Sequence, residues 1–291
     1  MFYAKFYYLQ LVSQSIKGLI VKKLTKKISI ATFALLMASS ASAVTITSDL
    51  TITGEVSFDD NPSTGSLPAI GDATQTAIME SILGGTSSTS TVNNVAVTGS
   101  NPHGGQLTDI NDGIGLNASV SSEGIGSIEA FIFDYNFALS NASLTEDYTI
   151  SFAINYNTSV DSTVDAFIDN RLILENPGEF FFSDLTSDTD NGNEKNGLAT
   201  GNNGGSESDS GLFTFDIVVL AGQIATFTGE IKIDGETFDS QGFITGVNDS
   251  FIYVSAVSGS SPPPPIDVPA PNTPLLFLTG LVLLTARRIR R

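Results

Sequence analysis

Alternation of apolar and polar residues is the feature that most constrains the fold of this 291-residue chain. Apolar side chains occupy every second position in residues 131–139 and again in residues 148–156. A β-strand turns successive side chains to opposite faces, so a period of two predicts strands with one buried face. The polar residues 140–147 predict a short connection, and we expect the two runs to be adjacent antiparallel strands.

The same period recurs elsewhere and predicts further strands. Residues 44–59 alternate along most of their length, and residues 251–257 predict a last strand. Asp234-Gly235 is typical of a hairpin turn. Two further apolar faces flank a predicted turn at residues 221–223; they comprise Phe213, Phe215, Ile217 and Val219, and then Ala225, Phe227, Ile231 and Ile233.

One short helix is expected within residues 72–83. Asp72 and Gln75 resemble a capping box, and Gly84-Gly85 would end the helix. One helical face would carry Ile78, Ile82 and Leu83. Gly, Ser, Asn and Thr crowd residues 84–127 and 186–211, which predicts long loops. The fold class is therefore all-β. We predict a single antiparallel β-sandwich, jelly-roll-like and with one short helix, over residues 44–260.

The charge of this body excludes several classes of function. In residues 44–286, three basic residues face 31 acidic ones, a formal net charge of −28. Such a surface repels phosphate backbones, which excludes nucleic acid as a partner. The chain has no Cys and one His, so disulfides, thiolate nucleophiles and Cys- or His-rich metal sites are excluded as well.

The N-terminal residues 1–43 predict a secretory signal peptide. A Lys-rich stretch precedes the apolar residues 28–37, and Ala41-Ser42-Ala43 follows as a small-residue cleavage site. The alternative is an N-terminal membrane anchor, for which the apolar run is short. Because the charged region is unusually long, we expect translation to start near Val21 or Leu24.

The C-terminal residues predict a stop-transfer segment. Residues 261–274 form a Pro-rich linker, and residues 275–291 predict a hydrophobic helix with an Arg-rich tail. The apolar residues 275–284 are fewer than the roughly 20 that span a bilayer. The membrane stop signal consists of Arg287, Arg288, Arg290 and Arg291.

These C-terminal residues resemble the PEP-CTERM sorting signal of Gram-negative bacteria. The motif is represented by Val268, Pro269, Ala270 and Pro271, with Ala270 where the family most often has Glu. The resemblance implies export with signal peptidase and an exosortase-type transpeptidase as processing partners. It also implies an inner-membrane intermediate held by the C-terminal helix, a final place at the cell surface or outside the cell, and an association with exopolysaccharide and biofilm.

A calcium site is the one metal centre that the composition suggests. Carboxylates and amides surround Gly192, and a hard cation such as Ca²⁺ takes six to eight oxygen ligands. The spacing does not match an EF-hand, so the alternative is a solvated acidic loop. The candidate ligands are Asp188, Asp190, Asn193 and Glu194.

No residue is predicted to be catalytic. His103 lies in a turn-forming context with no nucleophile elbow beside it, so we expect an exposed turn histidine. Carboxylate pairs for glycoside hydrolysis are too numerous to single out. No distinguishing context marks Glu123, Glu129, Glu175, Glu179 or Glu230. The tyrosines of the body fall in strand patterns, which favours packing over sugar stacking.

These observations favour an exported, non-enzymatic cell-surface or extracellular-matrix protein. A second hypothesis is a carbohydrate-binding module, with or without Ca²⁺, whose site would lie in residues 84–127 and 184–211. A third is a polysaccharide-modifying hydrolase. Fold alone does not distinguish the three, since sandwiches support all of them.

Overall fold

The computed structural model describes residues 45–61 and 63–260. The predicted signal peptide, the Pro-rich linker and the C-terminal hydrophobic helix lie outside these residues. Within them every element is a strand, and no helix there could cross a membrane. The fourteen strands are β1 (Leu50–Phe58), β2 (Ile70–Leu83), β3 (Thr86–Asn93), β4 (Ala96–Thr98), β5 (His103–Leu107), β6 (Gly113–Asn141), β7 (Asp147–Thr163), β8 (Ala166–Glu175), β9 (Glu179–Asp188), β10 (Glu194–Lys195), β11 (Leu198–Ala199), β12 (Gly205–Val219), β13 (Ile224–Thr237) and β14 (Phe243–Ser260).

All strands belong to one antiparallel hydrogen-bonded sheet that folds over on itself. The long strand β6 belongs to both halves. Its residues 113–123 pair with β2 and β14, and its residues 133–140 pair with β1 and β13. We call the two halves layer A (β4, β3, β2, first half of β6, β14, β7, β12) and layer B (β5, β1, second half of β6, β13, β8, β9, β10, β11).

The two layers pack face to face around an aromatic core. Phe152 of layer A lies 5.7 Å from Phe137 and 5.0 Å from Phe227 of layer B, measured between ring centroids. Phe137 and Phe227 stack at 4.4 Å. These three side chains are at most 2 % exposed. The all-β sandwich predicted from the alternation is therefore confirmed.

A change of parity in β6 marks the place where the sheet folds. Even-numbered residues face the core up to Ala130, and odd-numbered residues face it from Phe131 onward. Ser66 covers this point, since its hydroxyl accepts the N–H of Ile132 at 2.8 Å and donates to the carbonyl of Ile132 at 3.3 Å. The backbone N–H and C=O of Ile132 are thus both satisfied on this edge of β6, where the ladder is irregular.

The strands predicted from clean alternation are present. β1, β6, β7, β12, β13 and β14 contain them, with the predicted apolar faces turned inward. The prediction that residues 131–139 and 148–156 form adjacent strands was wrong, however, because β14 lies between β6 and β7. Residues 131–139 are in layer B, and they meet β7 across the core instead of alongside it.

The predicted short helix is absent, and residues 72–83 belong to β2. Its buried residues alternate with a period of two: Gln75, Ala77, Met79 and Ser81 face inward, whereas Ile78 is 46 % exposed. The helical pattern misled because two of the buried residues are polar. Pairing with β3 on one side and β6 on the other supplies the backbone hydrogen bonds of a strand.

Two further predictions were wrong. The polar segments 84–127 and 186–211 are largely strand, since they contain β3, β5, the first half of β6 and part of β12. Asp234-Gly235 is not a hairpin turn, because β13 continues through it with a register shift. A Cβ atom on Gly235 would lie 2.7 Å from the carbonyl oxygen of Phe167, so glycine allows β8 to approach closely there.

Candidate functional site

A shallow groove crosses the outer face of layer B. It consists of two depressions of about 640 and 600 Å³ that share Asn136 and Thr228. These two residues are direct neighbours across β6 and β13. Because strands turn alternate side chains outward, the floor of the groove is the outward half of β5, β1, β6, β13 and β8.

Hydroxyl and amide side chains supply most of the polar groups in the first depression. Both kinds of group donate and accept hydrogen bonds, which suits a neutral ligand rich in hydroxyls. Apolar surface, to which Pro102 and Ala138 contribute, makes up the larger part of the lining. The polar lining side chains are Thr53, Glu55, Gln106, Asn136, Thr226 and Thr228.

The second depression is acidic. Arg171 is its one basic side chain, and it donates to Glu230 Oε1 at 2.6 Å. The pair is exposed, so it orients the guanidinium more than it stabilises the fold. The carboxylates in the lining are Asp134, Glu175, Glu179 and Glu230.

Asp134 is the carboxyl whose ionisation this arrangement opposes. Partial burial and the neighbouring carboxylates of Asp59 and Glu230 raise the pKa of Asp134 above its ordinary value of 3.8. Farther along the same face, burial also raises the pKa of Asp184, although the positive charge of Arg171 opposes the change. The acidic end of the groove therefore attracts cations and repels anions.

Sequence reasoning missed this groove. Glu175, Glu179 and Glu230 have no distinguishing context in the sequence, yet three strands bring them together with Asp134. The strand pairings that create the groove join residues far apart in the chain, as Thr228 and Asn136 show. No local spacing could have indicated them.

The predicted calcium ligands lie at the end of β9, in the turn that follows it and in β10. Asp188 Oδ1 accepts the backbone N–H groups of Asp190 and Asn191 at 2.7 and 2.9 Å, and its Oδ2 accepts the Asn191 side-chain amide at 2.9 Å. Burial opposes ionisation of Asp188, but these hydrogen bonds outweigh it and lower its pKa. Glu194 is exposed.

Asn193 is buried and fully engaged within the protein. Its Oδ1 accepts the N–H groups of Asp188 and Gly204, and its amide donates to the Gly204 carbonyl and to Glu207 Oε1. Residues 45–61 and 63–260 contain no group of three or more His, Asp or Glu side chains arranged to hold a metal. Calcium binding by Asp188, Asp190, Asn193 and Glu194 stays a prediction.

The expected exposure of His103 was wrong, since this side chain is only 5 % exposed. Its Nδ1 lies 2.9 Å from Ser90 Oγ and 3.0 Å from Ser100 Oγ, and its Nε2 lies 3.2 Å from Ser81 Oγ. The serines come from β2, β3 and the segment before β5, so no motif connects them in sequence. Internal partners for both ring nitrogens indicate a structural role.

The tyrosines are used mainly in packing. Tyr135 and Tyr148 are at most 5 % exposed, as their strand positions predicted. Burial raises the pKa of Tyr135, whose hydroxyl lies 3.1 Å from Ser250 Oγ. Tyr148 does not line the groove of layer B, and Tyr135 contributes to the acidic depression although its ring is fully buried.

Comparison with known proteins identifies no family. No protein-family model and no curated protein matches the chain. Among solved structures, the VP2 subviral particle of infectious bursal disease virus is similar at 12 % identity and a TM-score of 0.16, over 82 % of this chain and 73 % of that one. The Gt strain of the same virus gives 11 % identity and a TM-score of 0.14, over 80 % and 72 %. Likeness at this level supports no inference about function.

Proposed function

We propose that this chain is an exported, non-enzymatic protein of the cell surface or extracellular matrix. The sequence supports export through the predicted signal peptide at one end and the PEP-CTERM-like segment at the other. The resemblance of that segment supports an association with exopolysaccharide or biofilm. The acidic body between them is suited to cations and neutral glycans more than to polyanions.

The structural observation that carries the proposal is the position of the start of β1 and the end of β14, the first and last described strands. Leu50, at the start of β1, pairs with Asn141, and Ser260, at the end of β14, pairs with Asp147. Asn141 and Asp147 are joined by a short loop, within which the Asn141 amide donates to the Glu146 carbonyl at 2.7 Å. The start of β1 and the end of β14 therefore lie at the same end of the sandwich, which supports attachment of the body from that end.

Fractionation with mass spectrometry of the protein termini tests this proposal. We expect the mature protein outside the inner membrane, beginning after Ala43 and lacking Arg287 and the residues that follow. In a strain without the sorting transpeptidase, the Arg-rich tail should persist. A tail that persists in both strains contradicts the sorting proposal and makes residues 275–284 a plain anchor.

A second candidate function, neutral-glycan binding, is favoured by the groove of layer B. Its hydroxyl and amide lining offers the paired donors and acceptors that sugar hydroxyls require. The test is a glycan array with and without EDTA. Thr228→Lys, on the groove floor, should abolish binding, whereas Thr76→Lys, on the exposed face of β2 in layer A, should leave it unchanged. Equal loss in both variants, or no binding by the parent chain, contradicts a groove site.

A further inference from the structure

Four described strands pair on one side only, and one of them differs from the rest. β4, β5 and β11 have three, five and two residues, whereas β12 has fifteen. Folded proteins commonly keep edge strands short, because an edge presents unpaired N–H and C=O groups to other chains. β12 carries neither Pro nor Lys, which are common devices for protecting an edge.

The direction of the free backbone groups on β12 follows from two contacts. The Asp209 carbonyl accepts the Thr158 hydroxyl of β7 at 3.3 Å, whereas the Ser208 carbonyl accepts Lys195 Nζ of β10 at 2.8 Å. Backbone N–H and C=O groups alternate in direction along a strand. The backbone groups of even-numbered β12 residues therefore point away from β7. C-terminal to the contact between Ser208 and Lys195, the outward groups of β12 form an open edge. Its residues are Ser210, Leu212, Thr214, Asp216 and Val218, whose side chains are all exposed.

Half-buried aromatic rings lie along the same side of the sandwich. Phe213 and Phe215 of β12 and Phe180 of β9 are each only partly covered, and Phe180 lies 4.8 Å from Phe215 between centroids. A strand added to β12 would therefore cover apolar surface as well as pair the backbone. The open edge thus offers both unpaired backbone groups and apolar surface to an added strand.

We propose that β12 pairs antiparallel with β12 of a second copy of this chain. A two-fold axis lets both open edges be satisfied at once. The charge distribution also favours this contact, since residues 210–218 carry one charge, Asp216, in a body of formal charge −28. The Asp216 carboxylate already accepts the Ser151 hydroxyl at 2.7 Å.

Antiparallel self-pairing also keeps the like charges apart. With the axis at Thr214, each Asp216 lies opposite Leu212 of the other copy. The contact does not depend on the export proposal, because purified protein can form it at any location.

Cysteine scanning tests the contact directly, since the chain contains no Cys. Full-length Ser210→Cys, Leu212→Cys, Thr214→Cys and Asp216→Cys are oxidised in excess detergent, with Thr76→Cys on the exposed face of β2 as the control. We expect one maximum of disulfide dimer along β12, at least tenfold above the control, because only residues near the axis bring their Cβ atoms within bonding reach. Equal yields at all positions, or the highest yield at Thr76→Cys, overturn the proposal.

A backbone variant separates strand pairing from other contacts. Thr214→Pro removes an N–H that points away from β7, so the fold should persist. The dimer fraction, measured by sedimentation velocity, should fall tenfold or more. Thr214→Val keeps the N–H and should dimerise like the parent chain. If Thr214→Pro fails to fold, Leu212→Lys replaces it, since a charged edge residue also opposes pairing. An unchanged dimer in a folded blocking variant overturns the proposal.

Discussion

The two halves of β6 reach the same degree of burial by opposite means. The second half, residues 131–139, faces the core with Phe131, Phe133, Tyr135, Phe137 and Leu139, all at most 2 % exposed. In the first half, the inward residues from Ile114 to Val120 are equally buried, but they include Ala118, and Gly113 and Gly115 lie on the opposite face. One half contributes large side chains to the core, and the other allows its neighbours to come close.

This difference separates two ways in which a strand is stabilised. In the second half, the main contribution to stability is the apolar area removed from water, and the large side chains of the strand itself supply that area. In the first half, the glycines leave space for aromatic rings of β14, since Phe251 is paired with Gly115 and Tyr253 with Gly113. Its stability therefore depends on strands that are distant in sequence.

Phe137→Ala should give the largest loss of stability. The ring stacks on Phe227 and meets Phe152 across the sandwich, and a vacated site between two layers cannot collapse fully. We expect a loss of about 3–5 kcal/mol in the free energy of unfolding, measured by denaturant titration. Phe137→Leu, which keeps most of the volume, should lose clearly less. Equal losses in the two variants would contradict a packing role for the ring.

Gly115→Ala tests the first half and should have a smaller effect. A Cβ atom there would lie 2.5 Å from Phe251 Cδ2 and 3.1 Å from the Ser250 carbonyl oxygen, so the ring must move. We expect a loss of about 1–3 kcal/mol, as is typical of overpacking. Gly178→Ala is the matched control, because a Cβ atom at Gly178 meets nothing within 4 Å. If both variants unfold at the same denaturant concentration, the close approach of β14 contributes nothing.

The same contrast explains how much could be predicted from sequence. Large apolar residues at alternate positions indicate a strand in any context, and the second half of β6 was predicted on that basis. Residues 113–127 have the composition of a loop, and they form a strand because β2 and β14 pair with both of their edges. Tertiary pairing overrode local propensity there.

Buried polar residues account for the other errors. Ser81 lies inside because it contacts His103, and Gln75 lies inside because its amide donates to the Leu67 carbonyl at 2.8 Å. A hydrophobic pattern cannot register either residue as core, so β2 was predicted as a helix. His103 was predicted as exposed from its turn-forming context, which does not indicate the serines that enclose it. The groove of layer B was missed for a related reason, since its side chains become neighbours only after β6, β13 and β8 pair.

Tyr135→Phe probes a hydrogen bond that links the two halves of the comparison. Tyr135 belongs to the second half of β6, and its hydroxyl donates to the carbonyl of Ser250, which is paired with Leu116 of the first half. The loss of this bond should cost about 0.5–1.5 kcal/mol, with the aromatic packing retained. Ser250→Ala retains this carbonyl but removes the Ser250 hydroxyl, whose Oγ lies 3.1 Å from the Tyr135 hydroxyl oxygen. Measured alone and together with Tyr135→Phe, it completes a double-mutant cycle for that side-chain contact. Strictly additive losses would show that the two side chains do not interact.

At low pH, Asp134→Asn should change the free energy of unfolding least of these variants. The difference from the parent chain should depend on pH. Burial and the carboxylates of Asp59 and Glu230 raise the pKa of Asp134 in the folded state. The folded state therefore binds this proton more tightly than the unfolded chain does, so the stabilisation is complete below pH 3.8 and is lost as the pH rises through the raised value. Asn cannot ionise, so the variant should gain stability relative to the parent chain as the pH rises toward neutrality.

Asp249→Asn extends this test to the strand that pairs with the first half of β6. Burial and the charge of Glu80 raise the pKa of Asp249, and a hydrogen bond from Asn117 opposes them. Like Asp134→Asn, Asp249→Asn should gain stability relative to the parent chain as the pH rises toward neutrality. Added salt should weaken the effects of Asp59, Glu230 and Glu80, because it screens charges but leaves burial in place. Parallel stability curves for parent and variants from pH 3 to 7 would mean that neither carboxyl is perturbed in the fold. If salt removes the difference at Asp134 completely, neighbouring charge and not burial controls that carboxyl.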